Sequence, residues 1–230
     1  MFVIFDLDGT LAPVGKATDE ECVRLLRCIR KAGAKIALSS GKPTFYLCGY
    51  ARQLGLRDAF LIGENGGVIQ EGVDLPPIRF EMARLPEKTK KALKELREKM
   101  EEAFPEKIWY QPNETALTPF PYGEEIFPPL RKLIEDYITP DMFLSVYEHP
   151  DCFDIEYSSL SKGEGLKALS RLTGVPTEKM IAVGDWTNDY PMFEVAGYSV
   201  GIHLPEPERA SANFSTLKEA LLHILEKIKE

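Results

Sequence analysis

The sequence predicts an α/β fold: a doubly wound parallel sheet built from two stretches of chain, 1–75 and 162–230, with a smaller α+β module inserted over 76–161. Three observations lead there. At both ends of the chain, short apolar runs alternate with segments of helical period, the pattern of strand–helix units that pack helices on both faces of a parallel sheet. Three of those runs, Phe2-Val3-Ile4-Phe5, Ile36-Ala37-Leu38-Ser39 and Met180-Ile181-Ala182-Val183, each lead into a polar residue and a turn. Between Leu75-Pro76-Pro77 and about Ser161 the alternation changes to a mixed sheet-and-helix pattern bounded by turn-rich segments.

The elements follow in order. Residues 2–5 form a short apolar run typical of a buried parallel strand. Thr18 and Glu21 have capping-box spacing, and Val23, Leu25, Leu26 and Ile29 follow at helical intervals up to Gly33. Residues 35–39 read as the second strand, Pro43 opens a helix that runs to Leu54 and closes at Gly55, and 59–62 read as the third strand. Asn65-Gly66-Gly67 is a turn signal before Val68-Ile69. In the insert, 87–103 is rich in Lys, Glu, Leu and Ala and predicts an exposed amphipathic helix; strands are expected at 107–111 and 114–118, a helix from Gly123 to Tyr137, and strands at 142–147 and 153–157. The alternation then resumes with a helix at 162–173, a strand at 179–183, a helix at 188–196, a strand at 198–202 and a helix at 215–229.

Composition narrows the function classes. A chain of 230 residues with 44% apolar residues can bury a sizeable core. Its formal net charge is -8 with both signs interspersed, so no basic footprint for nucleic acid is present. An anionic ligand must then be drawn by local positive groups or by a metal. The apolar run before Asp6 is far too short for a signal sequence or a membrane span, so a cytoplasmic location without membrane attachment is expected. Cys22, Cys28, Cys48 and Cys152 form no CxxC pair and read as reduced packing residues.

Ligands of open parallel sheets bind beyond the carboxyl ends of the strands, so the polar residues that follow the three apolar runs are expected to converge. The first is Asp6-Leu7-Asp8-Gly9-Thr10. Two carboxylates at i and i+2 reach the same side of an extended strand end. Such a pair suits phosphoryl transfer, one carboxylate attacking phosphorus and the other protonating the leaving oxygen and then activating water. An Asx-rich turn after a strand would leave the same residues with no chemistry. Thr10 can steady a carboxylate. Gly184-Asp185-Trp186-Thr187-Asn188-Asp189 adds two carboxylates, and four in one site require a cation. An all-oxygen cluster with room for water and phosphate suits magnesium. Lys162, at the start of a helix, is the expected positive partner, although most lysines are merely solvated; Asp189 would also suit a helix N-terminus without any metal. Ser40 offers a hydroxyl and Gly41 a backbone N–H to phosphate, with Ser39 as the alternative hydroxyl because a strand alternates faces.

Taken together, these four segments resemble the haloacid dehalogenase superfamily. Its first motif is matched by Asp6 to Thr10, its second by Ser40, its third by Lys162 and its fourth by Gly184 to Asp189. The position of the insert between the second and third motifs resembles the type IIB cap. The branch with that cap includes archaeal-type phosphoglycolate phosphatases, sugar-phosphate phosphatases and phosphomannomutase. The resemblance implies an aspartyl-phosphate mechanism with Asp6 as nucleophile, Asp8 as acid/base and Lys162 as the catalytic cation. It implies Mg2+ held by Asp6, Asp185 and the backbone carbonyl of Asp8, with Asp189 a direct or water-mediated ligand. Thr10, Ser40, Gly41, Lys42 and Asn188 fall at the phosphate and substrate site.

Departures from the family pattern bear on the pocket. Ser40-Gly41-Lys42 stands where many relatives have Thr-Gly-Arg, Trp186 where smaller or polar residues are usual, and Ile202-His203 where many have Gly-Asn. The opening Asp6 to Pro13 also resembles trehalose-phosphate phosphatases, whereas the Asn188-Asp189 pair fits that group less well. The expected function is hydrolysis of a small phosphorylated metabolite such as phosphoglycolate or a monosaccharide phosphate. A phosphosugar mutase and a catalytically silent binding module are the alternatives, and the presence of Asp6, Asp8 and Lys162 speaks against the second.

Overall fold

The computed structural model describes residues 1–229. The chain forms two compact units, Met1–Glu81 with Ser161–Glu230, and Met82–Leu160. Elements are numbered in chain order. At the centre of the first unit lies β1 (Phe2–Asp6). On one side of it run β2 (Lys35–Ser39), β3 (Phe60–Gly63), β4 (Val68–Glu71) and β5 (Arg79–Met82). On the other side run β10 (Met180–Gly184), β11 (Tyr198–Ile202) and β12 (Ala212–Phe214). The strands from β12 through β3 are parallel, and β4 folds back antiparallel on β3.

Strand alternation explains the two layers of helices. Val3 and Phe5 of β1 point to one face, where they join Leu26 and Ile29 of α1 (Glu20–Lys31), Leu47 of α2 (Thr44–Leu54) and Ile224 of α7 (Leu217–Lys227). Phe2 and Ile4 point to the other, against Leu166 and Leu169 of α5 (Lys162–Thr173) and Met192 and Phe193 of α6 (Tyr190–Val195). A side chain of this kind stabilises the fold by about 1.5–3 kcal/mol when fully buried. Because β1 is buried on both faces, its run is continuously apolar.

Several boundaries differ from the sequence reading. The α1 N-cap is Asp19, whose Oδ1 accepts from the backbone N–H of Glu21 (2.8 Å) and Cys22 (3.3 Å); Thr18 instead hydrogen-bonds the Tyr50 hydroxyl. A carboxylate at this position also meets the positive helix end. The first unit extends six residues beyond position 75 because β5 adds an edge strand. Ile78 N donates to Glu71 O (3.2 Å), and the Arg79 side chain bonds Leu172 O (2.8 Å). All four β5 residues are exposed, so no burial pattern announces the strand. The three-residue β12 was too short to read as a strand.

The second unit has its own sheet and core. Strands β6 (Ile108–Gln111), β7 (Ala116–Pro121), β8 (Leu144–Glu148) and β9 (Phe153–Tyr157) form an antiparallel sheet in the order β6-β7-β9-β8. Its Ile108, Leu117, Phe153 and Ile155 pack with Leu96 and Met100 of α3 (Glu87–Ala103) and with Leu130 and Ile134 of α4 (Phe127–Tyr137). No helix among the described residues is long and apolar enough to cross a membrane.

Candidate active site

The topology puts Asp6 at a switch point of the sheet. The chain passes from β1 to β2 on one side, while β10 pairs with β1 on the other, so the end of β1 lies where the strand order switches direction. Asp6 is its last residue and is 5% exposed. A tight loop follows, with Leu7 O accepting from Leu11 N (3.0 Å) and Ala12 N (3.2 Å), and Gly9 N donating to Ala12 O (2.7 Å). Gly9 has φ +95°, and a Cβ there would lie 2.1 Å from Asp185 Oδ2. Glycine therefore supplies both the left-handed turn and the room for Asp185. Thr10 Oγ1 then donates to Asp185 Oδ1 at 2.6 Å, which steadies that carboxylate as the sequence suggested.

Lys162 arrives from the opposite piece of chain. The side chain of Ser161 caps α5 by accepting from Glu164 N (3.2 Å), and Lys162 is the first helical residue. Its ammonium donates to Asp6 Oδ1 and to Asp189 Oδ1, each at 2.6 Å. Both the lysine and Asp189 are buried. The other oxygen of Asp189 accepts from the backbone N–H of Asp185 (2.9 Å) and Trp186 (3.1 Å), which fixes the turn after β10. Gly163 brings α5 close to this turn, since a Cβ on it would stand 2.3 Å from Pro191 O. No local pattern singles out Gly163, because its role depends on Pro191 from a distant part of the chain.

Asp6, Asp185 and Asp189 each offer an oxygen within 4.8 Å of the others. Burial pushes the Asp6 carboxyl up to about 7; Lys162 opposes that rise, while Asp189 and Asp185 add to it. Burial also raises Asp185, against the Thr10 hydrogen bond, and Asp189 adds to the rise. Burial alone would lower Lys162, but Asp6 and Asp189 outweigh it and hold the ammonium above the usual lysine range. Three carboxylates thus face a single lysine. A divalent cation fits this surplus of charge and the hard oxygen donors. Asp6 and Asp185 suit direct ligation. Asp189 lies in the same cluster while already binding Lys162 and two backbone N–H groups.

The remaining predicted residues lie around this centre. Asp8 Oδ2 is 2.8 Å from Lys42 Nζ. Ser40 Oγ accepts from Lys42 N (3.2 Å), Lys42 O accepts from Glu64 N (3.1 Å) and Ser40 O accepts from Asn65 N (3.1 Å). The 40–42 loop, Gly41 included, is thereby tied to the loop after β3. Ser39 is level with Asp6 across β1 and β2, and its buried hydroxyl has no hydrogen-bond partner among the described residues. Asn188 is exposed in a single 3-10 turn, Thr187–Asp189. His203, exposed at φ +51° after β11, is a loop residue outside the carboxylate cluster. No local sequence pattern signals the pairing of Lys42 with Asp8, because the two residues come from different strand ends.

Comparison with known proteins agrees with this geometry. The model of the haloacid dehalogenase-like hydrolase family matches residues 3–116 and 87–213, which together span most of the chain. The chain belongs to the haloacid dehalogenase-like hydrolases. Among curated relatives of this hydrolase, a phosphoglycolate phosphatase from Methanopyrus kandleri is 26% identical over 220 residues, covering 96% of this chain and 89% of the relative. The fold is shared with a Thermotoga maritima protein of known structure (TM-score 0.77, 18% identity, 98% and 96% of the two chains covered). It is also shared with a haloacid dehalogenase subclass IIB sugar phosphatase (TM-score 0.69, 19% identity, 99% and 97% covered). The IIB neighbour agrees with an α+β cap inserted in the hydrolase core.

Proposed function

We propose that this hydrolase is a Mg2+-dependent phosphatase of a small phosphorylated metabolite, phosphoglycolate or a sugar phosphate, and that it works through an aspartyl-phosphate on Asp6. One observation carries the reading: a buried carboxylate at the end of the central strand is bonded to Lys162 at 2.6 Å and surrounded by more negative charge than that lysine balances. Such a site suits a cation and a phosphoryl group together. The names of the phosphoglycolate phosphatase and the sugar phosphatase support the substrate class.

In this reading an Asp6 oxygen attacks phosphorus while the ester P–O bond breaks, and the leaving oxygen takes a proton from Asp8. Water then attacks the phosphorus and passes a proton back to Asp8. The bond to Asp6 breaks, releasing inorganic phosphate and restoring both carboxyl groups. Lys162 keeps Asp6 oriented and offsets charge on the phosphoryl oxygens. Thr10 holds Asp185, and Ser40, Gly41 and Asn188 are assigned to the phosphate site. Mg2+, held by Asp6, Asp185 and Asp8 with Asp189 beside them, would offset the negative charge of the incoming phosphate.

The test is phosphate release from a panel of phosphorylated metabolites, with Mg2+ and with a chelator, alongside Asp6→Asn. Release that needs the metal and is lost in the variant is expected. Unchanged turnover by Asp6→Asn would overturn the nucleophile assignment, and transfer back to the sugar without net phosphate release would make the protein a mutase.

A further inference from the structure

We infer that Lys42 is the positioning residue for Asp8, the group that aims the acid/base carboxylate, and not primarily a phosphate contact. The inference rests on the phosphatase reading above, because it assigns a task to Asp8's proton transfer. Its basis is a division of labour between two lysines. Lys162 is committed to Asp6 and Asp189, at 2.6 Å from each. Lys42 Nζ instead stands 2.8 Å from Asp8 Oδ2.

Exposed ion pairs usually contribute little, because two long side chains must be ordered in water. This pair differs at both ends. The Lys42 backbone is held by its N–H to Ser40 Oγ (3.2 Å) and by its carbonyl, which accepts from Glu64 N (3.1 Å). The Lys42 ammonium stands 5.5 Å from the centre of the Tyr46 ring, on the first turn of α2. Asp8 sits in the loop closed by the hydrogen bonds that Leu11 N (3.0 Å) and Ala12 N (3.2 Å) donate to Leu7 O. Both side chains are about two-thirds covered, at 33% and 27% exposure. Little ordering is left to be done, so the contact can fix a direction.

A direction is needed here. The carboxylate of Asp8 can rotate about its side-chain torsions. The cation on β2's loop defines where it rests. Without that cation, the proton on Asp8 would meet the leaving oxygen in fewer encounters, whereas attack by Asp6 would be untouched. Displacement of a fixed general acid by a fraction of an ångström is costly, because proton transfer depends on hydrogen-bond reach.

Leaving-group chemistry separates the two roles of Lys42. p-Nitrophenolate departs as a stable anion and needs no proton, whereas the alkoxide of an alkyl phosphate does. Single-turnover formation of product from p-nitrophenyl phosphate and from an alkyl phosphate would be measured for wild type, Lys42→Met, Lys42→Arg, Asp8→Asn and the double variant Lys42→Met/Asp8→Asn. Positioning predicts that Lys42→Met slows the alkyl substrate by about tenfold or more, the rate equivalent of one charge-assisted hydrogen bond. The p-nitrophenolate burst should change by less than about threefold, Lys42→Arg should recover most of the alkyl rate, and the double variant should be no slower than Asp8→Asn. Equal losses on both substrates that add in full to Asp8→Asn would overturn the inference and make Lys42 a phosphate ligand. If Asp8→Asn itself changed neither rate, the phosphatase reading would fall, and the inference with it.

Discussion

Asp189 holds Lys162 in a buried ion pair of 2.6 Å, and the same ammonium reaches Asp6 at 2.6 Å. The other oxygen of Asp189 binds two backbone N–H groups of the turn after β10. A single carboxylate therefore couples the start of α5, the end of β10 and, through Lys162, the end of β1. Loss of any one member should reach the other two.

Lys162→Ala should lose nearly all turnover and should also lower stability. Removing one partner of a buried ion pair typically costs about 3–5 kcal/mol, because the remaining charges stay uncompensated. The cost should be greater at pH 8 than at pH 5.5, where Asp6, already raised to about 7 by burial, relieves it by taking up a proton. Urea denaturation at the two pH values, without metal, measures both parts. Equal stability of variant and wild type at pH 8 would show that the pair is not needed for folding.

The raised carboxyl of Asp6 makes a prediction about pH and metal. Its value rises from an ordinary 3.8 to about 7 in the folded protein, with burial the leading cause. Between those values the folded state binds more protons than the unfolded one, so this group lowers stability as pH rises through the window and is neutral in slope outside it. Lys162 is raised as well, but from the usual lysine range, so its contribution to stability persists throughout this window and is lost only at strongly alkaline pH. If Mg2+ binds at Asp6 as proposed, it competes with the proton there, so its stabilising shift in Tm should be larger at pH 8 than at pH 5.5. Thermal unfolding with and without Mg2+ checks this. A shift that is equal at both pH values would place the ion away from Asp6.

Much of this was legible in the sequence. The apolar run of β1 is continuous because both faces are covered, and its end marks Asp6. The resumption of strand–helix alternation after the insert placed Lys162 at the start of a helix, which is where α5 begins. Other features left no local trace. β5 is exposed throughout and carries no burial pattern. Gly163 matters only because Pro191 O lies against it, a contact between residues 28 positions apart. Thr18 lost the capping role to Asp19 because a carboxylate one residue later can bond two N–H groups, while the Thr18 hydroxyl goes to Tyr50. Sequence patterns record which face of an element is buried; they do not record which side chains from separate strand ends will meet.

Asp8→Asn tests the two-step reading. An amide cannot donate a carboxyl proton to the leaving oxygen or take one from water, so both steps should slow, by about 10²–10⁴-fold in line with the loss of a general acid/base. With p-nitrophenyl phosphate the first step needs no proton, and the phosphorylated protein should accumulate. Acid-quenched samples analysed by intact-protein mass spectrometry should show the added phosphoryl group in Asp8→Asn and none in Asp6→Asn. An adduct that persists in Asp6→Asn would point to another nucleophile.

The last prediction concerns Gly163→Ala. The added Cβ would lie 2.3 Å from Pro191 O, a backbone atom that cannot swing aside, so α5 and α6 must part. Lys162 is the adjacent residue, and Asp189 lies two residues before Pro191, so the shift falls on the Lys162–Asp189 pair. Alanine is otherwise the better helix former, by about 1 kcal/mol. Two effects of opposite sign therefore act on stability, while only one acts on the site. Turnover should drop by tenfold or more, roughly the cost of weakening one charge-assisted contact, with a change in Tm too small to account for it. Gly174→Ala serves as the control for glycine replacement, since a Cβ there meets nothing within 4 Å and the residue closes α5 at its far end with φ +70°. It should lower Tm through backbone strain and leave turnover per folded molecule unchanged. If Gly163→Ala kept full turnover, the close approach of α5 and α6 would be a packing feature without a part in aiming Lys162.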